Sequence, residues 1–138
     1  MRCCHQLPGQ HLFQFVDDAG QRRPIDSDQV NAYLRENMGE AFTAKDFRTW
    51  AGTVIVASTL ARREGRVGQS HVVAAVRAAA ECLGNTPAIC RKSYVHDTVI
   101  AAFEEGVLVQ FSETLKRCRS PASRAQVLAK IIAAAAPI

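Results

Sequence analysis

From Ser27 to the end of the chain, apolar residues recur at three- and four-residue steps, and the runs are separated by helix-start and helix-stop residues. That period lays side chains along one face of a helix; a strand needs alternation every two residues. A chain patterned this way folds as helices packed on one another. Ser27 is placed as an N-cap, Val30, Tyr33 and Leu34 share the face that follows, and Gly39 is a stop. Thr43 opens the next helix, with an apolar stripe of Phe47, Trp50, Ala51, Val54, Ala57 and Ala61. Arg62, Arg63 and Arg66 gather near its end, where cations suit the helix dipole, and Gly65 and Gly68 break it. Ser70 starts a third helix with Val72, Val73, Val76, Ala80 and Leu83 inward and Gly84 as its stop. Thr86-Pro87 supplies a cap and a favoured first-turn proline for a fourth, over 88–94. A fifth runs over 97–105, and Ser120-Pro121 opens an alanine-rich helix reaching about Ala135. Only the region before Ser27 reads differently: 12–16 alternates briefly and meets Asp17-Asp18-Ala19-Gly20, a short strand or an extended loop closed by a turn. The expected fold class is all-α, a compact bundle of about six helices.

Composition narrows the function classes. At 138 residues, 48% hydrophobic and 22% charged, the chain can bury a core without metal or disulfide staples. Its five cysteines are odd in number and irregularly spaced, and no secretory signal precedes them, which predicts reduced thiols in a cytosolic protein. Cys3-Cys4 lacks CxxC spacing and no Cys or His pair sits at ligand spacing, so neither a metal nor another cofactor is expected. The longest apolar stretch, 127–138, is interrupted by Lys130 and is too short to span a bilayer. The net charge of +4 is compatible with a polyanionic partner such as nucleic acid.

Two segments stand out from the helical background: Thr43-Ala44-Lys45-Asp46-Phe47-Arg48-Thr49-Trp50-Ala51-Gly52, and Leu83-Gly84-Asn85-Thr86-Pro87-Ala88-Ile89-Cys90-Arg91-Lys92-Ser93-Tyr94-Val95-His96. On its residues alone, the second is a helix N-terminus followed by two cations and a tyrosine. Free N–H groups and the helix dipole favour an anion there, and Arg91 and Lys92 add positive charge. The same residues also suit a plainer role, Tyr94 as an amphipathic packing residue and the cations as a solvated face. Arg48 lies outside the Phe47-Trp50-Val54 stripe, so packing does not require it; alone it is a salt-bridged surface arginine. Asn85 alone is a turn residue after Gly84.

The wording of the two segments resembles the bacterial and poxviral branch of type IB DNA topoisomerases. That family carries K-D-F/L-R-T on a core helix and L-G-N/H-T-P nine residues before an active tyrosine in a K-R/R-K-x-Y context. Lys45 to Thr49 matches the first motif, and Asn85 to Tyr94 is the nine-residue step. Gln10 to Phe15 and Asp28 to Arg35 also look like the stretch that precedes K-D-F-R, so the resemblance covers roughly residues 6 to 110. This implies the helical core of the DNA breaking-rejoining fold, shared with tyrosine recombinases. It divides the chain into 1–110, the C-terminal part of the catalytic domain, and 111–138, a helical tail.

The resemblance also implies a chemistry. Tyr94 attacks a DNA phosphodiester and forms a 3′-phosphotyrosyl link, the free 5′-hydroxyl strand swivels, and its return attack reseals the DNA with neither ATP nor metal. Extra negative charge develops on the nonbridging oxygens, where fixed donors supply rate. Arg48 is one such donor, its planar fork suited to phosphate. Asn85 stands where poxviral and eukaryotic members have histidine and bacterial members commonly have asparagine; it offers an N–H but does not titrate. Lys45, Arg91 and Lys92 are either DNA-backbone contacts or solvated cations; His96 reads as a helix-capping or solvated residue. The implied partner is double-stranded DNA, bound by a monomer in the cytoplasm at the nucleoid, with no membrane.

Two further family groups, an arginine and a lysine that protonates the leaving 5′-oxygen, belong upstream of Lys45 and are expected before Met1. The chain is therefore expected to be a C-terminal part, poorly active alone. A helical DNA-binding remnant without chemistry is the alternative. A tyrosine recombinase fits less well, because recombinases typically carry H-x-x-R and position 45 is lysine. One geometric condition remains. A continuous helix from Asn85 to Tyr94 would separate them by about 13 Å. Either the turn at Thr86-Pro87 and a Tyr94 side chain leaning toward its N-terminus shorten that gap, or the helix breaks near Ser93.

Overall fold

The computed structural model describes residues 11, 13–62 and 68–135. Cys3, Cys4, Leu12, Arg63, Gly65 and Arg66 of the sequence reading lie outside them. The described residues form a two-stranded sheet, β1 (Gln14–Val16) and β2 (Arg22–Pro24), and seven helices: α1 (Ser27–Met38), α2 (Ala44–Ala61), α3 (Gln69–Leu83), α4 (Pro87–Ser93), α5 (Asp97–Glu104), α6 (Val107–Arg117) and α7 (Pro121–Ala135). The all-α reading holds, with a small hairpin added. The chain divides into two compact units, 1–44 and 45–138.

In the first unit the two strands pair antiparallel, Phe15 opposite Arg23. Asp17 organises the turn between them. Its Oδ1 accepts the N–H groups of Ala19 at 3.1 Å and Gln21 at 2.8 Å, and its Oδ2 accepts Arg23 Nε at 3.0 Å. These bonds favour the ionised form, and Arg23 above all holds the carboxyl below its ordinary value. The second strand had no sequence signal, because Arg22-Arg23-Pro24 neither alternates nor favours a strand; pairing alone defines it. The cap of α1 is Asp26 and not Ser27. Asp26 Oδ1 accepts Gln29 N–H at 2.8 Å and Gln29 Oε1 accepts Asp26 N–H at 3.1 Å, a reciprocal box that Ser27, with Val30 three residues on, does not form. Gly39 ends the helix as expected. The apolar face of this helix is not buried: Val30 and Tyr33 are exposed and Leu34 is half-buried.

The second unit holds the core. On α2 the packed face is Gly52, Thr53, Val56, Ala57, Leu60 and Ala61, while Phe47 and Trp50 are exposed. The predicted stripe holds at Ala57 and Ala61 and is rotated at its start, where the small Gly52 and Thr53 are buried and the large Phe47 and Trp50 are not. On α3 the buried positions are Val72, Ala75, Val76, Ala79 and Ala80, and Val73 is exposed. This helix starts at Gln69 after Gly68, which is extended and has no side-chain cap bond, so Ser70 is not its N-cap. Gly84, left-handed at φ 66°, closes it as predicted. α6 was not anticipated; it follows Gly106, left-handed and again without a side-chain cap. α3 packs on α4, and α5, α6 and α7 pack on one another. The alanine-rich α7 buries Val127, Leu128 and Ile131. Leu60, Leu108, Leu128 and Ile131 are fully buried, each contributing about 1.5–3 kcal/mol of hydrophobic stabilisation. Cys82, Cys90 and Cys118 are free thiols. No described helix is long and apolar enough to cross a membrane.

Candidate active site

The site is built where α3 stops. The last four carbonyls of any helix lack intrahelical partners. At this terminus the left-handed Gly84 turns the chain so that its own N–H reaches Glu81 and Ala80 and the N–H of Asn85 reaches Ala80 at 2.9 Å. The Leu83 carbonyl is left over, and two side chains take it. Arg48 Nη2, from the first turns of α2, donates to it at 2.9 Å. Asn85 Nδ2 donates to it at 3.3 Å. Arg48 is half-buried, and its buried Nε has no acceptor among the described residues.

Thr86 then caps α4, its side chain accepting Ile89 N–H, with Pro87 in the first turn. α4 ends at Ser93. Tyr94 is its C-cap, at φ −132° and ψ 9°, outside helical geometry, and only Val95 and His96 separate it from α5. The helix thus breaks after Ser93, one of the two arrangements the sequence left open. The break turns the half-buried Tyr94 ring under the Arg48 guanidinium, whose carbon lies 4.8 Å from the ring centroid. Arg48 thereby touches both the Tyr94 ring and the Leu83 carbonyl that Asn85 also meets.

The α2 face beside Arg48 holds the tyrosine segment by its backbone. Thr49 Oγ1 donates to the Ser93 carbonyl at 3.4 Å. Thr53 Oγ1 donates to the Thr49 carbonyl at 2.7 Å and accepts His96 N–H at 3.1 Å. Gly52 faces the Tyr94 carbonyl so closely that a Cβ there would stand 2.3 Å from its oxygen. Sequence reasoning missed all three, although small residues at positions 49, 52 and 53 share one helical face at three- and four-residue spacing. Beneath the site Cys90 is fully buried; burial pushes its thiol up, and the nearby Arg48 charge partly offsets that.

The remaining predicted residues lie apart from this cluster of contacts. Lys45 and Lys92 are exposed. Arg91 pairs with Asp97 in a tight side-chain contact that bridges α4 and α5. His96 caps α5, its Nδ1 accepting Thr98 N–H at 3.3 Å. Among the described residues no three His, Cys, Asp or Glu side chains come together as a metal site.

Residues 1–121 match the family described as eukaryotic DNA topoisomerase I, catalytic core. The chain belongs to this family. It is also 29% identical over 110 residues to the DNA topoisomerase 1B of Acanthamoeba polyphaga mimivirus, covering 72% of this chain. That alignment takes in 33% of the viral protein, so the chain spans about a third of its length. The topoisomerase match takes in α2, the end of α3, α4 and the Tyr94 linker, which together form the site.

Proposed function

We propose that this chain carries the transesterification centre of a type IB DNA topoisomerase. Tyr94 Oη attacks a phosphodiester of duplex DNA, the new O–P bond forms as the bond to the 5′-oxygen breaks, and the DNA is held as a 3′-phosphotyrosyl link. The severed strand swivels, and its 5′-hydroxyl attacks the phosphorus to restore the DNA and release Tyr94. The energy of the broken bond stays in the phosphotyrosine, so resealing needs no nucleotide hydrolysis. Arg48 and Asn85 donate to the nonbridging oxygens, and Lys45, Lys92 and Arg91 contact the DNA backbone. The molecule acts as a monomer.

The observation that carries this reading is the convergence of Arg48 and Asn85 on the Leu83 carbonyl with the Arg48 fork over the Tyr94 ring. The Tyr94 ring already lies under the guanidinium, and in this reading a phosphate meeting the phenol oxygen is met by the fork as well. Fixed donors at the oxygens where charge develops are the main source of rate in phosphoryl transfer.

Covalent trapping tests the reading. The chain is mixed with duplex DNA carrying a 5′-bridging phosphorothiolate, with chelator and without ATP, beside Tyr94→Phe, and run on a denaturing gel. Thiolate leaves without a proton donor, so a general acid matters less. A Tyr94-dependent adduct supports the proposal. DNA binding without any adduct would replace it with a helical DNA-binding remnant, and cleavage confined to one recombination sequence would replace it with a recombinase.

A further inference from the structure

We infer that Thr53 is a positioning residue for Tyr94, fixing the tyrosine segment to the helical turn that presents Arg48. The inference rests on Tyr94 being the nucleophile.

A threonine hydroxyl inside a helix commonly bonds the carbonyl four residues back and does nothing more. Thr53 does this toward Thr49, but it is only 2% exposed and its oxygen also accepts the His96 N–H at 3.1 Å. That N–H belongs to the linker carrying Tyr94, two residues downstream of it. On the upstream side Thr49 reaches the Ser93 carbonyl, and between them Gly52 lets the Tyr94 carbonyl approach the helix axis. Consecutive peptide groups around the nucleophile are therefore laid along one face of α2. The 3.4 Å Thr49 bond is long, so the Thr53 bond is the firmer anchor.

Arg48 belongs to the same stretch of α2. Placing a donor and a nucleophile from one rigid element fixes their relative position far better than two loops do. Tyr94 closes the last bond of α4, its N–H reaching the Cys90 carbonyl at 2.9 Å, but the chain leaves helical geometry there, so its C-terminal side needs a constraint from outside α4. The linker's bond to Thr53 supplies that constraint.

The test compares Thr53→Val, which keeps the shape and removes the hydroxyl, with Thr53→Ser, which keeps the hydroxyl. Thr53→Ala, which adds no volume, serves in place of the valine variant should that one not fold. The first readout needs no DNA: NMR of the Arg48 side-chain N–H protons, shifted by the Tyr94 ring current, and hydrogen exchange at the His96 amide. The expected result is a reduced ring-current shift and faster His96 exchange without the hydroxyl, and near wild-type values with serine. The second readout is single-turnover adduct formation on the phosphorothiolate duplex. There the hydroxyl-free variants should be slower by on the order of 10²-fold at unchanged DNA affinity. A lower melting temperature with the Arg48 shift and His96 protection intact would overturn the proposal, because it would mean a merely structural hydroxyl. If wild-type chain forms no adduct, the nucleophile assignment fails, and with it this role for Thr53. If wild type forms one while the hydroxyl-free variants match its rate, only the Thr53 inference fails.

Discussion

The Arg48 guanidinium lies 4.8 Å from the centroid of the Tyr94 ring while its Nη2 donates to the Leu83 carbonyl. One side chain thus touches both the ring of the proposed nucleophile and the helix end that presents Asn85. Lysine has a single charged point and does not make both contacts. Arg48→Lys and Arg48→Ala are each expected to slow single-turnover adduct formation by about 10²–10³-fold. DNA affinity, measured by fluorescence anisotropy, should change only a few fold.

Asn85 donates without titrating. Asn85→Ala should slow cleavage by on the order of 10²-fold, the usual loss for one donor to a developing oxyanion. Asn85→His should retain activity and acquire a new pH dependence near the histidine value of about 6.5, faster on the acid side where the imidazolium donates. Rate–pH profiles of wild type and Asn85→His check this; identical profiles would show that position 85 does not donate in the rate-limiting step.

A Cβ at position 52 would meet the Tyr94 carbonyl oxygen at 2.3 Å and Leu83 Cδ1 at 3.2 Å. Both neighbours belong to the site, and one is backbone, so relief requires the linker to move. Gly52→Ala should lower stability by about 1–3 kcal/mol despite alanine's better helix propensity. Urea denaturation followed by circular dichroism measures it, and a stabilised variant would show that the approach is looser than described.

The three cations proposed to contact DNA should separate in solution. Lys45 and Lys92 are exposed, so alanine at either should weaken duplex binding uniformly across sequences and reduce the slope of log K against log salt by about 1. Arg91 is paired with Asp97. Arg91→Ala should reduce the slope less and should also loosen the α4–α5 connection, seen as faster amide exchange near Tyr94.

Asp17 gives a pH prediction far from the site. Its carboxyl is held below the ordinary 3.8, first by Arg23 and then by the Gln21 N–H. A depressed folded value contributes stability above the unfolded value and loses it as pH falls through the folded one. The turn should therefore persist from neutrality to about pH 4 and open below it, whereas Asp17→Asn should show no such transition. The amide shifts of Ala19 and Gln21 during an acid titration report it.

Much of this architecture was legible because it rests on local chemistry. Gly84 as a helix stop and Thr86-Pro87 as a capped start were read directly, and they define the helix end that the site uses. The misreadings share a cause. α6 begins after a glycine with no side-chain cap, so it gave no start signal, although Leu108 and Leu115 are buried at helical spacing. α3 likewise begins after Gly68, and Ser70 drew the assignment only because it is a good cap type. On α2, Phe47 and Trp50 outweighed Gly52 and Thr53, because periodicity counts large apolar residues and does not see that close approach selects small ones. The break at Ser93 has no sequence marker: neither glycine nor proline follows, and the contacts of Thr49, Gly52 and Thr53 are all tertiary.

The leftover carbonyl of Leu83 has a consequence for how the site chooses its occupant. It keeps the Arg48 and Asn85 donors aimed at one neutral acceptor. In the proposed reaction an anionic phosphate oxygen displaces it, since charge-assisted hydrogen bonds are roughly twice as strong as neutral ones. Occupation is then an exchange of one acceptor for a better one, and the helix end works as a placeholder that gives way to charge.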